Sequence, residues 1–112
     1  MLTNYEKEVI ELLGSDVLSP RQIDDVINRG EFIGYDYTGS GYFLSIHHPG
    51  LPKGRTVCDK PILMGEADGI VCGFIVFIED GRLTIECDSW GEIEVPEDFR
   101  SKTVEIKSTP LD

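Results

Sequence analysis

Apolar residues in the first thirty positions recur at helical spacing. Thr3 followed by Glu6 forms a capping-box pair, and Tyr5, Val9, Leu12 and Leu13 then fall on one side, which predicts a helix over 4–13 that stops at Gly14. Ser19, Pro20 and Gln22 repeat the start signal. With Ile23, Val26 and Ile27 on one face and Gly30 placed after Arg29, a second short helix is expected over 20–29. Both helices are one-sided, so each must lie against an apolar surface.

From residue 31 onward the period changes to two. Segments 31–37 and 42–47 flank Thr38-Gly39-Ser40-Gly41 and predict a hairpin. After a loop through Pro49, Gly50, Pro52 and Gly54, a third strand is expected over 55–64, with Pro61 making it an edge or a break, and residues 65–69 turning the chain back. The strongest signal is Asp80-Gly81, which supplies the two positive-φ positions of a type I′ turn and so sets the register of both arms. Counting outward pairs Glu79 with Arg82, Val76 with Ile85, Ile75 with Glu86, Cys72 with Ser89 and Val71 with Trp90. Alternation puts Phe74, Val76, Ile78, Leu83, Ile85 and Cys87 on a core face. The opposite face mixes Val71, Ile75, Phe77 and Trp90 with Thr84, Glu86 and Asp88, a composition suited to a partner-binding surface or a ligand-lined concavity. Two further short strands are expected at 91–95 and 102–108, joined by a turn in which Phe99 plugs the core. The fold class is therefore α+β: two N-terminal helices packed on an antiparallel sheet of five or six strands, in a single domain over 1–112, helical in 1–30 and sheet in 31–112.

Composition sharpens this picture. A chain of 112 residues is about one domain and buries roughly two thirds of its unfolded surface. The net charge is −11, and residues 61–98 hold −9 of it, with ten acidic side chains against one base, Arg82. These carboxylates are threaded through strand-forming apolar residues, so a folded acidic face is expected rather than a disordered tail. With a sequence pI near 4.4 the chain should be repelled by nucleic acid and anionic lipid and drawn to basic surfaces. Residues 1–8 lack the basic start and apolar run of a secretory signal, and the longest apolar stretch, 70–78, is about half a membrane span. Three cysteines cannot all pair within one chain, which fits a reducing compartment. A cytoplasmic protein is expected, of unassigned oligomeric state.

No motif names a reaction. His47 and His48 are adjacent, so on a strand they point to opposite faces and do not chelate one metal together. Cys58, Cys72 and Cys87 lack paired zinc-ribbon spacing and read as small buried hydrophobes, and a Cys58–His47 pair oriented by Asp59 has only its residue types in its favour. The glycines form no phosphate cradle. Catalytic residues, metal ligands and cofactors are accordingly not expected. The candidate site is a partner-binding surface of Glu86, Asp88, Trp90, Glu92 and Glu94. The alternative is a small-molecule pocket lined by Tyr35, Tyr37, Phe77 and Trp90.

The run Gly73-Phe74-Ile75-Val76-Phe77-Ile78-Glu79-Asp80-Gly81-Arg82-Leu83-Thr84-Ile85-Glu86-Cys87-Asp88-Ser89-Trp90, followed by Val95-Pro96-Glu97-Asp98-Phe99-Arg100, resembles small acidic bacterial proteins of the immunity-protein type. The resemblance implies a cytoplasmic, non-enzymatic protein that binds a cognate toxin and occludes its active site. It carries over no catalytic residue. Nuclease toxins must be basic to hold phosphates, and an acidic inhibitor face complements them.

Overall fold

A computed structural model describes residues 2–91 and 94–109. Within them the order is α1 (Asn4–Gly14), α2 (Pro20–Arg29), β1 (Glu31–Tyr37), β2 (Gly41–His47), β3 (Thr56–Ala67), β4 (Ile70–Glu79), β5 (Arg82–Ser89), a 3-10 turn (Phe99–Ser101) and β6 (Glu105–Thr109). The six strands form one antiparallel sheet in the order β1-β2-β5-β4-β3-β6. This is the expected α+β architecture, helices first and sheet after.

Both capping boxes form. The Glu6 amide donates to Thr3 Oγ1 at 3.3 Å and the Thr3 amide to Glu6 Oε1 at 2.9 Å, while Ser19 and Gln22 make the same reciprocal pair at α2. On α1 the buried side is Tyr5, Glu6, Val9, Ile10 and Leu13; Leu12 faces out, because the sheet-facing stripe runs through Ile10 instead. This helix lies over β3, β4 and β6, with its Tyr5 ring 5.9 Å from that of Phe74.

The Asp80-Gly81 turn sets the β4–β5 register pair for pair as counted from the sequence, from Glu79 opposite Arg82 to Cys72 opposite Ser89. The Trp90 amide continues the ladder by donating to the Val71 carbonyl. Leu83, Ile85, Val76 and Ile78 are wholly buried beneath the helix layer, as the alternation requires.

Two expectations are corrected, and one open alternative is decided. The third strand continues past residue 64 to Ala67, because the turn is the two-residue Asp68-Gly69, both at positive φ, and not the wider 65–69 loop. Gly65 sits inside the strand: a Cβ there would lie 2.7 Å from the Phe74 ring and 2.8 Å from Val104, so glycine is required by close packing. Pro61 marks a break, where the β3–β4 register shifts between Cys58 and Leu63, and not an edge, since β6 pairs with β3 from Ile62 onward. Residues 91, 94 and 95 form no strand, and Glu92 and Ile93 lie outside the described residues. Val95 is nonetheless buried, its amide held by the Gly39 carbonyl, and Phe99 plugs the core edge-on to Tyr5 at 6.1 Å.

Candidate functional site

The sheet has one face under the helices and one face without a helix among the described residues. Strand alternation and pairing put Phe43, Ser45 and His47 of β2, Thr84, Glu86 and Asp88 of β5, Gly73, Ile75 and Phe77 of β4, and Val57, Ile62 and Met64 of β3 on the uncovered side. Phe43, Val57, Ile62 and Trp90 are all exposed there, Trp90 at 53 %. Isolated exposed apolar residues need no explanation, but four sharing one sheet face with carboxylates between them make this face the candidate site.

The centre of this face is a groove of about 300 Å³ whose lining includes Asp59, Ile62, Ile75, Glu86, Asp88 and Trp90. Its form follows from one small residue. Trp90 leaves the end of β5 and lays its indole over Gly73, where a Cβ would lie 2.0 Å from Nε1; only glycine lets the ring rest on the β4 backbone. The ring becomes the wall of the groove. Glu86 is half-buried between its cross-strand neighbours Phe43 and Ile75. That burial, and the charge of Asp88 two residues along, raise its pKa above the usual carboxylate value. Among the described residues no donor or cation binds Asp59, Glu86 or Asp88.

Of the five site residues expected from sequence, Glu86, Asp88 and Trp90 come together. Glu94 is exposed in the irregular segment before Val95, whose amide is tied to the β1–β2 turn, and it does not line the groove. Glu92 lies outside the described residues. Asp59 and Ile62 escaped the sequence reading: Asp59 shares the side of Val57 by alternation, whereas Ile62 reaches that side only through the β3 irregularity around Pro61. The acidic segment is also more dispersed than one face. Asp68 and Asp80 occupy the positive-φ position of a turn, φ 53° in each, and Asp68 pairs with Lys102 at 2.8 Å. Their presence is explained by turn chemistry.

The four aromatic residues of the alternative pocket are divided by the sheet. Tyr35 pairs with Leu44 and Tyr37 with Tyr42, on the helix side, whereas Phe77 and Trp90 belong to the uncovered side. Tyr35 stacks against Tyr42 at 5.4 Å and beneath the Arg100 guanidinium at 5.5 Å, so it is part of the core boundary. A strand slip of one residue would have been needed to unite all four.

A second polar constellation lies under the helices. Glu6 is fully buried and receives Arg100 Nε on Oε2 and Nη2 on Oε1, each at 2.8 Å, together with the Tyr42 hydroxyl at 2.6 Å. Tyr42 spends its only proton on Glu6, so Tyr5, bonded to it, donates to Tyr42. Burial alone would raise the pKa of Glu6; the hydrogen bonds from Arg100, Tyr42 and the Thr3 amide outweigh it and lower the value. Burial pushes both tyrosine hydroxyls far up, with the Glu6 charge adding to the effect. The sequence showed Glu6 only as a capping residue. Its partner Arg100 lies ninety-four positions away, and no local signal connects them.

Cys58, Cys72 and Cys87 are buried free thiols, and no group of three metal-ligating side chains occurs among the described residues. None of the helices described is long and apolar enough to cross a membrane. No family model matches this chain, and neither does any curated protein or solved structure.

Proposed function

We propose that this chain is a non-enzymatic protein-binding module that docks a basic protein on its uncovered sheet face, and that in a bacterial cytoplasm it acts as an immunity protein occluding a toxin. The observation that supports this reading is the Trp90 groove: an exposed aromatic ring, apolar floor and carboxylates without cations, on a rigid sheet. Buried aromatic anchors contribute contact energy of about 2 kcal/mol or more, while surrounding charges raise encounter rates roughly ten- to a thousandfold at low salt. Nucleic acid and anionic membrane are disfavoured as partners by the −11 charge. The small-molecule reading loses its pocket once its four aromatic residues fall on two sides of the sheet.

Affinity capture from the source cell with the wild type and with the Glu86→Lys/Asp88→Lys variant as parallel baits tests this. A basic protein retained by the wild type and lost by the folded variant is expected, and toxicity of that protein on expression should be relieved by the wild type only. Binding and rescue that survive the double reversal at low salt would overturn the reading.

A further inference from the structure

The groove has a shape and a charge that together specify what enters it. Its floor is apolar, from Ile62 and Ile75; one wall is the Trp90 indole; and carboxylates of Asp59, Glu86 and Asp88 stand around it. Of the chain's cations, Arg100 is held by Glu6, Lys102 by Asp68 and Lys107 lies beside Glu105, and among the described residues no ion pair joins a lysine or arginine to Asp59, Glu86 or Asp88. A hydrophobic chain segment would desolvate the three carboxylates without compensation, which is costly. A compact anion is repelled. The occupant that satisfies all parts is a long side chain with an apolar stem and a planar cationic head.

Resting on the protein-binding reading above, we propose that the Trp90 groove receives an arginine side chain of the partner, its guanidinium stacked on the indole and forked between Glu86 and Asp88. Arginine suits this site better than lysine for two reasons. Glu86 and Asp88 are two residues apart on one strand face, about 6.8 Å, so a single head group must present donors along more than one edge, as the five N–H groups of a guanidinium do and a point-like ammonium does not. The guanidinium also stacks flat on indole and is weakly hydrated, so it is more easily desolvated on entry. A groove of about 300 Å³ accommodates one such side chain.

Trp90 is the only tryptophan, so its fluorescence reports on the groove directly. The intact protein would be titrated at low salt with a blocked Gly-Arg-Gly peptide and with its lysine and citrulline counterparts; citrulline keeps the shape and removes the charge. The expected result is a saturable change with the arginine peptide, with Kd of order 1 mM. Lysine should bind at least threefold more weakly and citrulline at least tenfold more weakly. The Glu86→Gln/Asp88→Asn variant, checked by its far-UV spectrum and a cooperative unfolding transition to be folded, should bind the arginine peptide about tenfold more weakly. Absence of a saturable change, equal binding of arginine with lysine or citrulline, or indifference to the double substitution would each overturn the assignment. A failed titration beside a Glu86-dependent capture of a basic protein ends the arginine assignment alone; failure of both ends the protein-binding reading.

Discussion

Glu6, on α1, and Glu86, on β5, are two carboxylates on opposite sides of the same sheet, and their pKa values move in opposite directions. Glu6 is wholly enclosed but surrounded by donors, two from Arg100, one from Tyr42 and one from the Thr3 amide, so its charge is satisfied within the fold. Glu86 is only half enclosed, yet it has apolar neighbours, a like charge beside it and no donor among the described residues. Burial therefore does not by itself set the direction of the shift. The supply of donors does: the charge of Glu6 is satisfied within the fold, whereas that of Glu86 meets no donor among the described residues.

The largest effect should come from removing the donors of the first site. Arg100→Ala leaves a buried carboxylate without its main cation, and a loss of about 3–5 kcal/mol in denaturant unfolding is expected. A loss below about 1 kcal/mol would show that Glu6 is reached by water or simply protonates. In the core beneath the helices, Ile85→Ala should cost about 2–5 kcal/mol, whereas Glu86→Ala, one residue away but on the other side, should cost under about 1 kcal/mol. Equal losses would refute the register that separates the two faces.

The pH dependence sharpens the contrast further. The folded pKa of Glu6 lies below the ordinary 4.5, so its contribution to stability is present above 4.5 and is lost as pH falls through the lower folded value. Glu86 has a folded pKa above 4.5, so it binds its proton more tightly in the folded state, and stability is lost as pH rises from 4.5 through that higher value. Glu86→Gln should therefore gain stability relative to the wild type on going from pH 4 to pH 7, by under about 1 kcal/mol because the site is partly solvated. Unfolding midpoints of the two proteins across this range would measure it, and a gain that shrinks with rising pH would contradict the assigned direction.

The smallest effect on stability is expected at Gly73. Gly73→Ala places a methyl where Trp90 Nε1 now rests, and the exposed indole can swing away, so stability should fall by no more than about 1 kcal/mol. The emission of Trp90 should shift to the red as the ring loses its seat on β4. An unchanged spectrum would mean that the indole does not lie on Gly73 in solution.

The sheet was legible where short-range chemistry dictates geometry. Asp80-Gly81 demands a two-residue turn, and a period of two then assigns every side chain of β4 and β5 to a face. The same chemistry at Asp68-Gly69 was masked by Gly65, which reads as a turn residue but is small to admit Phe74 and Val104. Among the site residues, Glu86, Asp88 and Trp90 follow from that hairpin alone. Ile62 does not, since the β3 register shift that brings it to the groove depends on pairing with both β4 and β6, and Asp59, on the side of Val57 by alternation, meets them only because β3 pairs with β4.

By itself, then, the sequence determined the two helices and their caps, the β4–β5 hairpin register and the sign of the charge, because each depends on residues within a few positions of one another. Tertiary structure decided which sheet face the helices cover, how Glu6 finds Arg100 across ninety-four positions, and which acidic side chains share a groove and which merely serve turns. Those outcomes depend on contacts distant in sequence, whose formation depends on how the whole apolar surface is buried at once.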